Sequence, residues 1–109
     1  MDQTETVLFA NDRFYNAFST GNFEAMAALW AEEVPVSCLH PDHPPLFGRE
    51  EILHSWQLIF QEGATTGIAC HGPEVSLYGN LATVLCYESL EEGFLLATNI
   101  YLLQNEGWR

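Results

Sequence analysis

The chain has 109 residues and a mass of 12.3 kDa, enough for one domain with its own core, and 48% hydrophobic against 17% charged residues is a folded composition. Fifteen Asp and Glu face three Lys and Arg, a net charge of −12, which leaves almost nothing to neutralise a nucleic-acid backbone or an anionic membrane. Three separated cysteines (Cys38, Cys70, Cys86) without a C-x-x-C pair form neither a disulfide framework nor a zinc motif. The start, Met1-Asp2-Gln3-Thr4-Glu5, lacks the order of a signal peptide, and no apolar run approaches the ~20 residues of a membrane span. A cytoplasmic setting, no cofactor and no metal are expected.

Asp2-x-x-Glu5 has the form of a capping box, and Val7, Phe14 and Phe18 recur at helical spacing with Leu8 and Tyr15 beside them. Thr20-Gly21-Asn22 ends this helix and caps a second, short one with Phe23, Met26, Ala27 and Trp30 along one side, closed by Glu32-Glu33. Val34, Val36 and Cys38 alternate with Pro35, Ser37 and Leu39, which predicts a short strand, at an edge because of Pro35. The prolines of residues 40–45 exclude regular structure there. After Gly48 a third helix carries Ile52, Leu53, Trp56, Ile59 and Phe60 and stops at Gly63.

The period then changes to two. Residues 66–71 and 74–78 read as strand pieces broken by a bend at Gly72-Pro73, and Gly79-Asn80 forms a two-residue hairpin turn into a strand over 81–90. Glu91-Glu92-Gly93 turns into a strand over 94–104, and Asn105-Glu106-Gly107 turns once more before Trp108-Arg109. Three helices followed by an antiparallel meander is an α+β plan, with the helices covering one face of a curved sheet. The last long strand is apolar on both faces: Ala97, Asn99, Tyr101 and Leu103 suit the helix-covered interior, while Phe94, Leu96, Ile100 and Leu102 must also be hidden. A second copy is the expected cover, giving a sheet-to-sheet homodimer.

Phe14-Tyr15-Asn16-Ala17-Phe18, Gly21-Asn22-Phe23-Glu24-Ala25-Met26, Leu29-Trp30, His40-Pro41, Phe47-Gly48-Arg49, Ser55-Trp56, Ala97-Thr98-Asn99-Ile100 and Gly107-Trp108-Arg109, in that order, resemble the SnoaL-like branch of the nuclear transport factor 2-like superfamily. The resemblance implies a cystatin-like α+β cone: three helices closing over a strongly bent antiparallel sheet around an apolar pocket, in a dimer. Relatives continue past the Gly-Trp-Arg turn into a final strand, so this chain, which ends at Arg109, is expected to lack it. Steroid isomerases of this fold use a tyrosine on the first helix, an Asp base and a protonated Asp on a long strand. By that resemblance the three positions fall on Phe14, Cys38 and Asn99, and the isomerase chemistry is expected to be absent.

Other polar residues are candidates in their own right. Asn99 lies among apolar neighbours and either orients a ligand carbonyl or bonds Trp30, Tyr15 or backbone to fix the core. His40 is a candidate general base, weighed against a loop-anchoring role; His40-x-x-His43 with Cys38 and Asp42 is too constrained by proline for zinc. Glu88, in phase with Val84 and Cys86, is a candidate acid or base if it faces the interior. Tyr15 is a candidate proton donor. Trp30, Trp56, Tyr101, Phe14 and Cys38 are candidate pocket walls, with Cys38 behaving as a small hydrophobe. Two functions compete: a dimeric domain with an apolar cavity for a small neutral or cationic molecule, with weak acid/base lyase or isomerase chemistry, and a non-catalytic association domain whose pocket is filled by its own side chains.

Overall fold

The computed structural model describes residues 2–63, 68–90 and 93–109. The first helix, α1 (Gln3–Thr20), begins where the Asp2 side chain accepts the Glu5 N–H and ends at Gly21, whose left-handed backbone (φ 65°) is the conformation glycine adopts without a Cβ penalty. Asn22 caps α2 (Phe23–Leu29) by accepting the Ala25 N–H at 3.0 Å. Strand β1 is shorter than its alternation predicts, Ser37–Cys38, and it pairs with a strand the sequence reading did not separate, β2 (Leu46–Phe47). The proline-rich segment is the loop that joins them. Helix α3 (Arg49–Glu62) follows Gly48 and stops at Gly63, as expected.

The main sheet runs β3 (Ala69–Tyr78), β4 (Leu81–Leu90), β5 (Gly93–Gln104) and β6 (Gly107–Trp108), in sequence order and antiparallel. The two expected strand pieces are one strand, with a register shift between His71 and Glu74 where Gly72-Pro73 sits; a bulge of this kind bends a sheet without ending it. The Gly79-Asn80 hairpin turn is present. The expected strand start at Thr66 and the turn at Glu91-Glu92 lie outside the described residues.

The helices cover one face of this sheet, the α+β cone expected. Val7 and Ala10 of α1 pack on Ala82, Val84, Tyr101 and Trp108 in one apolar cluster. Ala17, Met26, Leu29, Leu46, Ile52 and Trp56 form the other, with Phe14, Phe18, Trp30, Cys38 and Phe60 against it. Arg49 fastens α2 to α3: its guanidinium donates to the carbonyls of Ala27 (2.8 Å) and Trp30 (3.3 Å), which the end of α2 would otherwise leave without donors. Leu103 departs from its expected interior place and is 40% exposed near the strand end.

Candidate functional site

Between the two apolar clusters lies a polar seam. Asn11 and Tyr15, one turn apart on α1, face the sheet. Opposite them the register brings Cys70 beside Glu88, Val84 beside Asn99 and Ala82 beside Tyr101, all on the concave face. Glu88 therefore faces inward, in phase with Val84 and Cys86.

The bonds in the seam have one direction. A carboxylate has no hydrogen to give, so across the 2.5 Å between them Tyr15 donates its hydroxyl proton to Glu88 Oε2. The Tyr15 oxygen must then accept, which it does from Asn99 Nδ2 at 3.0 Å. The second hydrogen of that amide goes to Asn11 Oδ1 at 3.0 Å, and Tyr101 donates to the same oxygen at 3.1 Å. The Asn11 amide nitrogen in turn reaches Cys70 Sγ at 3.5 Å. Asn99 is thus engaged by Tyr15 and Asn11, not by Trp30, one of the partners weighed for it. Among the described residues no protein group donates to Glu88 Oε1 or Asn99 Oδ1.

Burial keeps these groups protonated. The Tyr15 hydroxyl is pushed well above its ordinary range by burial, then by its bonds to Cys86 and Glu88. Burial also raises Tyr101. The Cys70 thiol is pushed up to about 12 by burial and by Cys86 beside it. The Cys38 thiol rises to about 11 through burial and then the Glu88 charge. Neither thiol is an activated nucleophile. The tyrosines are held as hydrogen-bond donors whose donors are already spent.

His40 belongs to a second cluster. Ser55 Oγ donates to the Ile52 carbonyl at 2.6 Å, so it accepts from His40 Nε2 at 3.0 Å, which places the histidine proton on Nε2. Cys38 Sγ stands 3.8 Å from the same nitrogen. Burial, then the charge of His43, lowers the His40 pKa. The ring also packs edge-on against Trp56 at 5.0 Å. Trp56 is ringed further by Phe14 (5.8 Å), Phe18 (4.7 Å) and Phe60 (5.7 Å). Among the described residues its buried indole N–H finds no hydrogen-bond partner, and it lies among aromatic rings, whose π faces are weak acceptors. The Trp30 N–H is likewise buried without an acceptor. Phe14 and Phe18 of α1 meet Trp56 of α3 edge-on in this aromatic cluster.

The structure thus unites Tyr15, Glu88, Asn99 and Tyr101, and sets His40 with Cys38, Ser55 and Trp56. Phe14 lies edge-on to Tyr15 at 4.9 Å, but the hydroxyl beside Asn99 is that of Tyr15, one residue beyond the position counted from the isomerase resemblance. Asn11, the fully buried centre of the seam, was missed; its signal is an amide standing four residues from both Val7 and Tyr15, in phase with the helix's buried side. Among the described residues no group of three His, Cys, Asp or Glu side chains is placed to hold a metal. A surface groove of about 580 Å³ lies elsewhere, at the start of α3 between Phe47 and His54, and shares no residue with the seam.

On the opposite face of the sheet, Phe94, Leu96 and Ile100 of β5 are 69%, 64% and 63% exposed, with Leu85 and Tyr87 of β4 beside them.

Residues 7–109 match the model of the SnoaL-like domain. A solved structure of a candidate dehydratase of the NTF2-like family from Streptomyces avermitilis is 33% identical, with 96% of this chain and 88% of that one covered and a TM-score of 0.84. A candidate calcium/calmodulin-dependent protein kinase type II association domain from Thiobacillus denitrificans is 29% identical over 92% of this chain and 85% of that one, with a TM-score of 0.73. The F-box protein SKIP8 of Arabidopsis thaliana is 26% identical over 96% of this chain, which spans 46% of that relative's length.

Proposed function

The chain belongs to the SnoaL-like domain family, and within it we propose that this member is an association domain, pairing with a second copy through the outer face of the sheet. One observation carries the reading: Leu85, Tyr87, Phe94, Leu96 and Ile100 lie together on cross-strand positions, bare, on the face the helices do not cover. A contiguous apolar patch of this kind marks an interaction surface. A second copy suits it, because an isologous interface needs only one self-complementary patch. The similarity to an association domain supports the same choice. The inner face supports it from the other side, since the donors of Tyr15, Asn99 and Tyr101 are used within the seam.

Light scattering behind a sizing column tests it. Wild type should elute at twice the mass of one chain and Ile100→Glu, which sets two carboxylates in a dry interface, as one. A dimeric Ile100→Glu would place the interface elsewhere.

Small-molecule acid/base chemistry is the second reading, favoured by the short Tyr15–Glu88 bond and by the 33% identity to a candidate dehydratase. It is the weaker one, because Tyr15, Cys38 and Cys70 all hold their protons far above neutral pH.

A further inference from the structure

The direction of the hydrogen bonds in the seam decides what it can still bind. We infer that the mouth of the seam, at Glu88 and Asn99, is a receptor for a small organic cation, a primary ammonium or similar donor-only group on a compact apolar body. Every O–H and N–H donor there is spent: Tyr15 on Glu88, both hydrogens of Asn99 on Tyr15 and Asn11, Tyr101 on Asn11. The atoms left over are Glu88 Oε1 and Asn99 Oδ1, both acceptors, on side chains that remain partly open to solvent. An anion or a carbonyl oxygen would meet two acceptors and no free O–H or N–H donor; an ammonium would meet the complement of its own hydrogens.

Charge makes the same selection. Among the described residues Glu88 has no ion-pair partner. The whole sequence holds three basic side chains, Arg13, Arg49 and Arg109. Arg49 is held by two α2 carbonyls and stands 3.8 Å from Glu32, and no ion pair forms at Glu88 among the described residues. The titratable side chains around the carboxylate, Tyr15 on α1, Cys38 on β1, and Cys70 and Cys86 on β3 and β4, supply no positive charge. A net charge of −12 adds a long-range field that draws cations in and repels carboxylates. A metal ion is the wrong cation, since a single carboxylate is a poor divalent site and no metal-ligating group forms among the described residues. The body of the ligand would lie against apolar walls such as Phe14 and Cys38.

Three matched probes test this at fixed salt: n-butylammonium, n-butanol and n-butyrate, titrated while the Asn99 side-chain amide is followed by NMR. The expected result is a saturable shift of that amide with butylammonium, at least tenfold weaker binding of butanol, and no saturable shift with butyrate. Glu88→Gln should weaken butylammonium at least tenfold. Equal binding of the three probes, no saturable shift with butylammonium, or an unchanged affinity in folded Glu88→Gln would overturn the inference. The wild-type series stands alone if the variant fails to fold. Association is read from mass in the absence of probe, so failure of either proposal leaves the other to its own experiment.

Discussion

Asn11 is a sharp place to perturb the seam. It is fully buried, and its Oδ1 accepts from both Asn99 Nδ2 and the Tyr101 hydroxyl. Asn11→Leu keeps the volume nearly constant and removes that acceptor. Two donors are then stranded, at about 1–3 kcal/mol each. Added apolar burial offsets about 1 kcal/mol. The net loss is about 1–5 kcal/mol, a large part of the ~5–15 kcal/mol that holds a domain together. In urea the midpoint should fall by about 1–3 M at matched protein concentration. The sharper test is the cycle with Tyr101→Phe. Alone, Tyr101→Phe removes one bond and leaves Asn11 still bonded to Asn99, so it costs about 1 kcal/mol. On the Asn11→Leu background the same change removes a stranded hydroxyl and should restore about 1 kcal/mol, a reversal of sign. If Tyr101→Phe destabilises both backgrounds equally, the two side chains do not share the bond and the direction assigned to the seam is wrong.

Further predictions follow from His40, Arg49 and the overall charge. His40 has a lowered pKa when folded, so as pH falls below the ordinary histidine value of ~6.5 the unfolded chain takes up the proton first and stability is lost. His40→Gln should flatten the fall in unfolding free energy between about pH 7 and 5, and an unchanged slope would remove His40 as its cause. Arg49→Met keeps the alkyl stem and deletes the donors to Ala27 and Trp30; thermal unfolding should come at least a few degrees earlier, a loss of about 1–2 kcal/mol, and an unshifted midpoint would mean α2 does not need the clasp. Two copies at −12 each repel, so raising salt from about 0.1 to 0.5 M should tighten self-association severalfold, and weakening by salt would point to an interface held by ion pairs.

Legibility in the sequence follows the range of the interaction. The helices were readable because their ends are local: Asp2, Gly21, Asn22 and Gly63 act within a few residues of themselves. The hairpin at Gly79-Asn80, the bulge at Gly72-Pro73 and the two apolar faces of β5 were readable for the same reason. The inward face of Glu88 followed from period two alone. Strand β2 was not readable, because two residues have no period and pair only through β1 across a loop. Nor was the seam. Asn11 meets Asn99 and Tyr101 across 88 and 90 residues, and Tyr15 meets Glu88 across 73. Periodicity says which face a residue takes, not which residue stands opposite. The resemblance put the isomerase tyrosine position on Phe14, while the hydroxyl bonded to Asn99 is that of Tyr15, and on a helix one residue is about 100° of rotation.

The helices cover the inner face of the sheet and leave the outer face bare, and sedimentation equilibrium of the wild-type chain weighs that difference directly. Across a concentration series at physiological salt the mass should sit at twice 12.3 kDa, falling only at the lowest concentrations. A mass of one chain throughout, with Phe94, Leu96 and Ile100 open to water, would contradict it.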